Sequence, residues 1–315
     1  MKRLTLVLTL LLVVGVVGCG KSGKVTGPLP VPAPWTRTSS GLPGLPVRSL
    51  AASGTTLLVG ILQYGVFRST DGGLTWTPAT TQPTDLNVES FAASGTTLLA
   101  GTHGGVFRST DGGLTWTPAT TQPTDLDVWS LTATGTTLLA GTHGGVFRST
   151  DGGLTWVAAA TQPTNLWVTS LTASGTTLLA GTHGAGVFRS TDGGLNWTAA
   201  TTQPTNLLVT SLTASGTTLL AATYGGVFRS TDDGLTWTPA TTQPTNLSMN
   251  CIIASGTTLL AGTYGSGVFR SADGGLTWVA LGSGRMSGLA VYSLTVSGTT
   301  LLAGTDRDGI WQCPL

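Results

Sequence analysis

Ser69-Thr70-Asp71-Gly72-Gly73-Leu74-Thr75-Trp76 is the stretch on which the fold of this chain turns. The same pattern returns at a period of about 40 residues, carrying its carboxylate to Asp111, Asp151, Asp192, Asp232 and Asp273. Departures are small: Asn196 replaces the Thr, Asp233 replaces the first Gly, and Ala272 replaces the residue before Asp273. A second phase of the same repeat is marked by Gly54, Gly95, Gly135, Gly175, Gly216, Gly256 and Gly298. Each copy must therefore be one small structural unit stacked on its neighbours.

One unit read outward from residue 128 predicts four short strands. Residues 128–133 form the first, Thr134-Gly135 a tight turn, and residues 136–142 the second. His143-Gly144-Gly145 is a loop before the third strand, residues 146–149. Asp151-Gly152-Gly153 then turns the chain into a fourth strand around Thr155-Trp156, and Thr161-Gln162-Pro163-Thr164 leads to the next unit. Four strands per repeat of this length is the pattern of a β-propeller blade. Helical repeats would need apolar spacing of 3.6 residues, which is absent.

The ends give the blade count. The first two strands occur seven times, but the Asp-Gly-Gly or Asp-Asp-Gly turn only six. The last copy stops at Gly309-Ile310-Trp311-Gln312, which matches a third strand, while Trp35-Thr36 aligns with Trp76-Thr77. The expectation is an all-β, seven-bladed propeller of four-stranded antiparallel blades, closed by an N-terminal strand that completes the last blade. Closure of that kind removes open sheet edges.

Composition agrees with an all-β chain. Of 315 residues only 9% are charged and 46 are Gly, and Thr and Val suit pleated, half-buried surfaces while Gly suits turns. The domain reading is a signal peptide over residues 1–19, a flexible Pro/Gly linker over 20–34, and the propeller over 35–315. Lys2 and Arg3 precede the apolar run 4–17, and Val16-Val17-Gly18-Cys19 has the form of an imperfect lipobox. On that reading Cys19 is lipidated and the protein is exported and held at the bacterial cell envelope, the outer membrane being favoured by Gly20 where two membranes exist. The other reading is an uncleaved signal anchor. Without Lys2 and Arg3 the 14 basic residues become 12, against 13 acidic ones. A neutral surface of this kind offers no footprint for nucleic acid. Cys251 and Cys313 are too few for a disulfide framework, and their pairing is open.

Over nearly all of residues 35–315 the chain resembles Asp-box (BNR) repeat propellers, the motif being Ser69 to Trp76 and its five copies. That superfamily includes sialidases, sortilin-type receptors, plant-polysaccharide hydrolases and photosystem II assembly factors. The resemblance implies that Asp71, Asp111, Asp151, Asp192, Asp232 and Asp273 are structural and lie away from the ligand face. Arg68, Arg108, Arg148, Arg189, Arg229 and Arg270 share one third-strand position and are read the same way.

Function must then lie where the blades differ. Early in the innermost strand one position reads Arg48, Glu89, Trp129, Thr169, Thr210, Asn250 and Tyr292 around the ring. The loop between strands two and three reads Tyr64, His103, His143, His183, Tyr224, Tyr264 and then Asp306-Arg307-Asp308. By the resemblance both sets face the ligand side, and Arg48, Glu89, Tyr292, Asp306, Arg307 and Asp308 form the richest patch. The three His come from consecutive blades about 10 Å apart, too far for one zinc with bonds of about 2 Å; no metal and no cofactor is expected. A sialidase-like hydrolase would require three Arg, a Tyr–Glu pair and an Asp acid. Glu89 is the sole Glu of the chain, Tyr292 or Tyr64 would be its partner, and Arg48 and Arg307 would hold a carboxylate. No Arg-Ile-Pro motif accompanies them, and the loops are short. The favoured reading is a monomeric, non-catalytic binding or assembly-scaffold lipoprotein whose partner is a protein or glycan. The alternatives are a sialidase-like exo-glycosidase and a photosystem II assembly-factor-like protein, whose basic face patch this chain lacks the Arg excess to form.

Overall fold

The computed structural model describes residues 35–44, 46–163, 167–244, 248–282 and 286–315. The segments read as signal peptide and linker, Cys19 included, lie outside the described residues. Among the described residues the chain forms seven four-stranded antiparallel sheets. Blades 1 to 6 span residues 47–78, 88–118, 128–158, 168–199, 209–239 and 249–280, and each is wound in sequence order. Blade 7 takes three strands from residues 291–314 and its outermost strand from Thr36–Arg37. Thr36 pairs with Gln312 and Arg37 with Trp311, so the expected clasp is present. The first strands of successive blades touch around the ring, and that of blade 7 touches that of blade 1.

The fourth strands differ slightly from the sequence reading. In blade 3 the strand is Val157–Ala158, and Trp156 precedes it, because that indole turns into the interblade core. Trp156 is buried with Leu99 and Val106 of blade 2 and Val128, Leu138 and Phe147 of its own blade. Its amide instead donates to Thr121 of the preceding linker at 3.1 Å. Each apolar cluster of this kind lies between two blades, so no blade has a core of its own.

The Asp-containing turn locks both a blade and its neighbour. Asp151 Oδ1 accepts the amides of Leu154 and Thr155 at 3.0 Å and the Ser149 hydroxyl at 2.7 Å, while Oδ2 accepts the Thr155 hydroxyl at 2.6 Å. The Gly152 carbonyl thrown outward by the turn accepts Arg108 Nε of blade 2 at 2.8 Å. Arg68, Arg148, Arg189 and Arg229 reach the corresponding carbonyl of the next blade at 2.6–2.7 Å. Blade 7 has no such turn, and among the described residues Arg270 Nε has no hydrogen-bond partner.

Neighbouring inner edges approach too closely for a side chain. A Cβ on Gly141 would fall 2.6 Å from Val168 Cγ1 of the next blade and 3.0 Å from its carbonyl oxygen. The same holds for Gly101 against Val128 and Gly181 against Val209. Blade 5 is the exception, with buried Ala222 at the position, and there the facing residue of blade 6 is Met249 instead of Val. Met has no branch at Cβ, so it leaves room for the extra methyl. Gly141→Ala should therefore destabilise the domain by about 1–3 kcal/mol through overpacking, and adding Val168→Met should recover most of that, read as urea midpoints of the two variants.

The Asp-turn carboxylates set an acid limit. At Asp232 the Thr236 hydroxyl and then its amide hold the pKa down at about 2. At Asp111 and Asp273 desolvation is the largest single influence and raises the pKa, but hydrogen bonds from Thr115 and Thr277 with their neighbours outweigh it and leave both at about 2. A depressed folded pKa gives stability that is present above the unfolded value of about 3.9 and lost as pH falls through the folded one. The Asp-turn contribution to the urea midpoint should be intact at pH 5 and should be lost between about pH 4 and 2.

Candidate functional site

In every blade the register of the first two strands slips at one residue. In blade 3 Val128 faces Thr142 and Ser130 faces Gly141, leaving Trp129 unpaired in a β-bulge. The slip recurs between Val47 and Ser49, Val88 and Ser90, Val168 and Ser170, Val209 and Ser211, Met249 and Cys251, and Val291 and Ser293. The bulged residues are therefore Arg48, Glu89, Trp129, Thr169, Thr210, Asn250 and Tyr292, the seven variable positions read from the sequence. A bulge re-aims its side chain out of the strand alternation. All seven line one cavity of ≈ 430 Å³ at the mouth of the central channel, within the usual size range of small-molecule sites.

The ring divides into two halves. On one side the side chains are spent on neighbouring backbone. Thr210 Oγ1 donates to Ala222 O at 3.1 Å and Met249 O at 2.9 Å. Thr169 makes the same pair of contacts to Gly181 and Val209, and Asn250 Nδ2 reaches Val291 O at 3.2 Å. These residues stitch blades 4 to 7 together. On the other side Arg48 Nε, Glu89 Oε1 and His103 Nε2 are buried against one another, and among the described residues Ser90 Oγ and Trp129 Nε1 are buried without a hydrogen-bond partner.

Glu89 is the electrostatic centre of that second half. Its side chain is 8% exposed, with Oε1 3.9 Å from Arg48 Nε and 3.4 Å from His103 Nε2. Desolvation pushes its carboxyl above the usual carboxylate range, against the opposing pull of Arg48 and His103. The Arg48 guanidinium in turn lies 4.9 Å from the centre of the Tyr292 ring, and desolvation followed by the counteracting Arg48 charge leaves the phenol above its ordinary value. Beyond Glu89 runs a row of rings alternating His and Trp. His103 to Trp129 is 5.3 Å, Trp129 to His143 5.6 Å, His143 to Trp167 4.5 Å and Trp167 to His183 4.1 Å between centroids. Asp127 sits beneath the first two His, 3.9 Å from His103 Nδ1 and 3.4 Å from His143 Nδ1. The indoles thus separate the three His that the sequence had placed on successive blades.

Some expected site residues are not brought in. Tyr64 is 47% exposed and does not line the cavity. Asp306 accepts the Ala290 amide at 3.2 Å and holds the exposed Arg307 at 2.8 Å. The Asp308 carbonyl accepts Arg37 Nε of the clasp at 2.8 Å. This last loop is tied to itself and to the closing strand, so the expected patch on blades 7, 1 and 2 narrows to Tyr292, Arg48 and Glu89. Trp167 was missed. It precedes the first-strand Val, at a position that reads Pro46, Asn87, Asp127, Trp167, Leu208, Ser248 and Ala290, so its variation was the available signal. Cys251 and Cys313 are free, buried thiols of one apolar cluster, and burial pushes Cys251 up to about 12.

The DUF6242 beta propeller domain matches this chain over residues 48–166, 113–207 and 187–287. No curated protein matches it in sequence. Among solved structures it is similar to YCF48 from Cyanidioschyzon merolae, at 17% identity and a TM-score of 0.67 over 90% of this chain and 98% of that one. A structure of YCF48 bound to D1 peptide superposes with a TM-score of 0.66 at 16% identity, covering 90% and 97%. The GH74 xyloglucanase from Xanthomonas campestris gives 0.70 at 18% identity, over 88% of this chain and 53% of its own. Likeness at these identities shows the fold alone.

Glu89→Gln tests the buried charge. A carboxyl whose folded pKa is raised stabilises the fold fully only below its unfolded value, about 4.3, and loses that stability as pH rises through the folded one. The Gln variant should therefore melt above the wild type at pH 7. The difference should vanish below about pH 4 in paired thermal melts.

Proposed function

The chain belongs to the DUF6242 beta propeller domain family, and from that premise we propose that it is a non-catalytic binding protein of the cell envelope whose ligand enters the channel mouth. One observation carries this: the seven bulged side chains, Arg48, Glu89, Trp129, Thr169, Thr210, Asn250 and Tyr292, are the positions at which the blades differ, and all seven line one cavity of ≈ 430 Å³. The peptide held by YCF48 supports a propeller of this shape acting as a binding module.

The glycosidase alternative is less well served. Glu89 is the one carboxylate among the lining residues, whereas most glycoside hydrolases use two. Arg48 contacts both Glu89 and the Tyr292 ring, and a phenol with a raised pKa is a poor nucleophile at neutral pH. The assembly-factor alternative would draw on a cationic face, but Arg48, the one Arg of the cavity, is already beside a carboxylate. Attachment through lipid at Cys19 would hold the ring outside the cytoplasm.

The test is recovery of ligand from envelope extracts on the immobilised full chain. Arg48→Ala with Tyr292→Ala should abolish recovery, and Leu114→Asp, on an exposed turn of the opposite end, should leave it intact. Recovery that ignores the double substitution, or turnover on a panel of glycosides, would overturn the proposal.

A further inference from the structure

The Asp-containing turns carry a side chain that their own architecture does not use. The residue after the second Gly is Leu in all six: Leu74, Leu114, Leu154, Leu195, Leu235 and Leu276. The turn engages this residue through its amide, which donates to Asp71 Oδ1 in blade 1 and to the equivalent carboxylates of blades 2, 3, 4 and 6. Any residue with an N–H would serve that backbone need. The side chain itself stays in solvent, 59% exposed at Leu74 and 39–41% exposed at the other five. Equivalent positions on successive blades place these apolar groups around one end of the strands, the end away from the channel mouth.

Exposure alone does not single out this end. Leu86, Leu126 and Leu207 are exposed at the mouth end, where the carbonyls of Leu86 and Leu207 accept the amides of Gly65 and Gly186. The first observation that separates the two ends is where the chain enters the ring. Blade 7 has no Asp-containing turn, and Trp35 stands at its outer strand as Trp76 does in blade 1. The Trp35 indole donates to Leu281 O at 3.0 Å, as that of Trp76 donates to Thr38 O at 3.3 Å. Polypeptide therefore arrives in blade 7 at the place where each other blade presents its Leu. Residues 20–34 separate Trp35 from Cys19, a length of chain that spans at most about 50 Å.

Charge is the second observation. At the mouth end Asp85 and Asp125 lie beside Gly104 and Gly144, and Glu89, Asp127, Asp306 and Asp308 join them. Among the described residues Arg48 and Arg307 are the basic groups there, so that end carries an excess of carboxylate. The turn end is close to balanced, because its Asp residues are set among the third-strand Arg that reach the neighbouring turns, from Arg68 to Arg229. A bilayer surface that contains anionic lipid repels the first end and is indifferent to the second.

We propose that the Leu-bearing end is the membrane-facing surface of the propeller, its turn leucines seated at the headgroup boundary of the bilayer that anchors the chain's own N-terminus. This rests on the cell-envelope reading above. The channel mouth then points away from the bilayer, toward whatever it binds. Each Leu adds a small apolar contact, and a tether that enters at the same end keeps the bilayer at high local concentration, so weak contacts at several blades are enough.

Depth-dependent quenching tests this on the full chain, produced in a bacterium and reconstituted into phosphatidylcholine vesicles with brominated acyl chains. A polarity-sensitive dye is attached to Leu114→Cys or, at the mouth end, to Leu126→Cys; Cys251 and Cys313 are buried. The dye on Leu114→Cys should be quenched about twofold or more beyond that on Leu126→Cys. Adding Leu154→Asp, Leu195→Asp and Leu235→Asp should remove the difference, and adding Leu86→Asp with Leu207→Asp should leave it unchanged. Thermal melts establish that each variant is folded, and mass spectrometry of the N-terminal peptide reads the state of Cys19. Equal quenching at the two positions, or stronger quenching at Leu126→Cys, on a chain that floats with the vesicles would overturn the docking and leave the envelope reading standing. A chain that does not float with the vesicles would overturn both. A blue shift at Leu114→Cys that follows protein concentration and needs no vesicles would assign the face to a second copy of the chain and overturn the proposal.

Discussion

The closeness of neighbouring inner strands is the constraint on which the rest of this molecule depends. Where Gly141 faces Val168 no Cβ fits between the blades, and that approach, repeated around the ring, draws seven first strands in toward one narrow channel. A wider spacing would leave seven separate bulges. At the observed spacing the bulged side chains line a single cavity. The one place where the glycine becomes Ala222 is also where the facing Val becomes Met249, which keeps the spacing while changing both partners.

The repeated motif and the site sit at opposite ends of the strands and divide the chemistry. At one end, each Asp-containing turn engages its own carboxylate, and in blades 2 to 6 it also offers one carbonyl to the Arg of the preceding blade, as Gly152 does for Arg108. The Leu side chains of these turns, Leu114 among them, stay exposed. At the other end, the bulge releases one side chain per blade from the ladder, and identity at that position is unconstrained by pairing. Variation therefore collects where the fold permits it.

This explains what could be read from sequence and what could not. Blade number, closure by Trp35 and Thr36, and the variable ring were all legible, because each depends on a repeat whose copies can be compared within one chain. The slip of the fourth strand past Trp156 was not, since it depends on the indole preferring an interblade core to its own sheet. Grouping Asp306, Arg307 and Asp308 with the binding patch rested on their charge. In fact Asp306 is engaged by the Ala290 amide and by Arg307, and the backbone carbonyl of Asp308 by the clasp residue Arg37. Sequence shows which residues differ; it does not show which have already spent their hydrogen bonds. Trp167 was hidden for a related reason, as it stands one residue outside the strand whose variation was being followed.

The chain itself contains the inexpensive way to occupy a bulge. Thr169 and Thr210 turn a short hydroxyl back onto two carbonyls of adjacent strands, satisfying themselves and joining two blades. Blades 1, 2 and 3 forgo that solution for Arg48, Glu89 and Trp129, and the neighbouring Ser90 hydroxyl also goes unpartnered. In other blades the equivalent Ser accepts an amide of the next inner strand, as Ser130 does from Leu171 at 2.8 Å. Burying a carboxylate in place of a threonine costs desolvation that the distant Arg48 offsets only in part, as the direction of the Glu89 shift shows. A fold that holds the cheaper residue at two equivalent positions has no structural need of the dearer one. What Arg48, Glu89 and Trp129 share instead is the cavity that all three line.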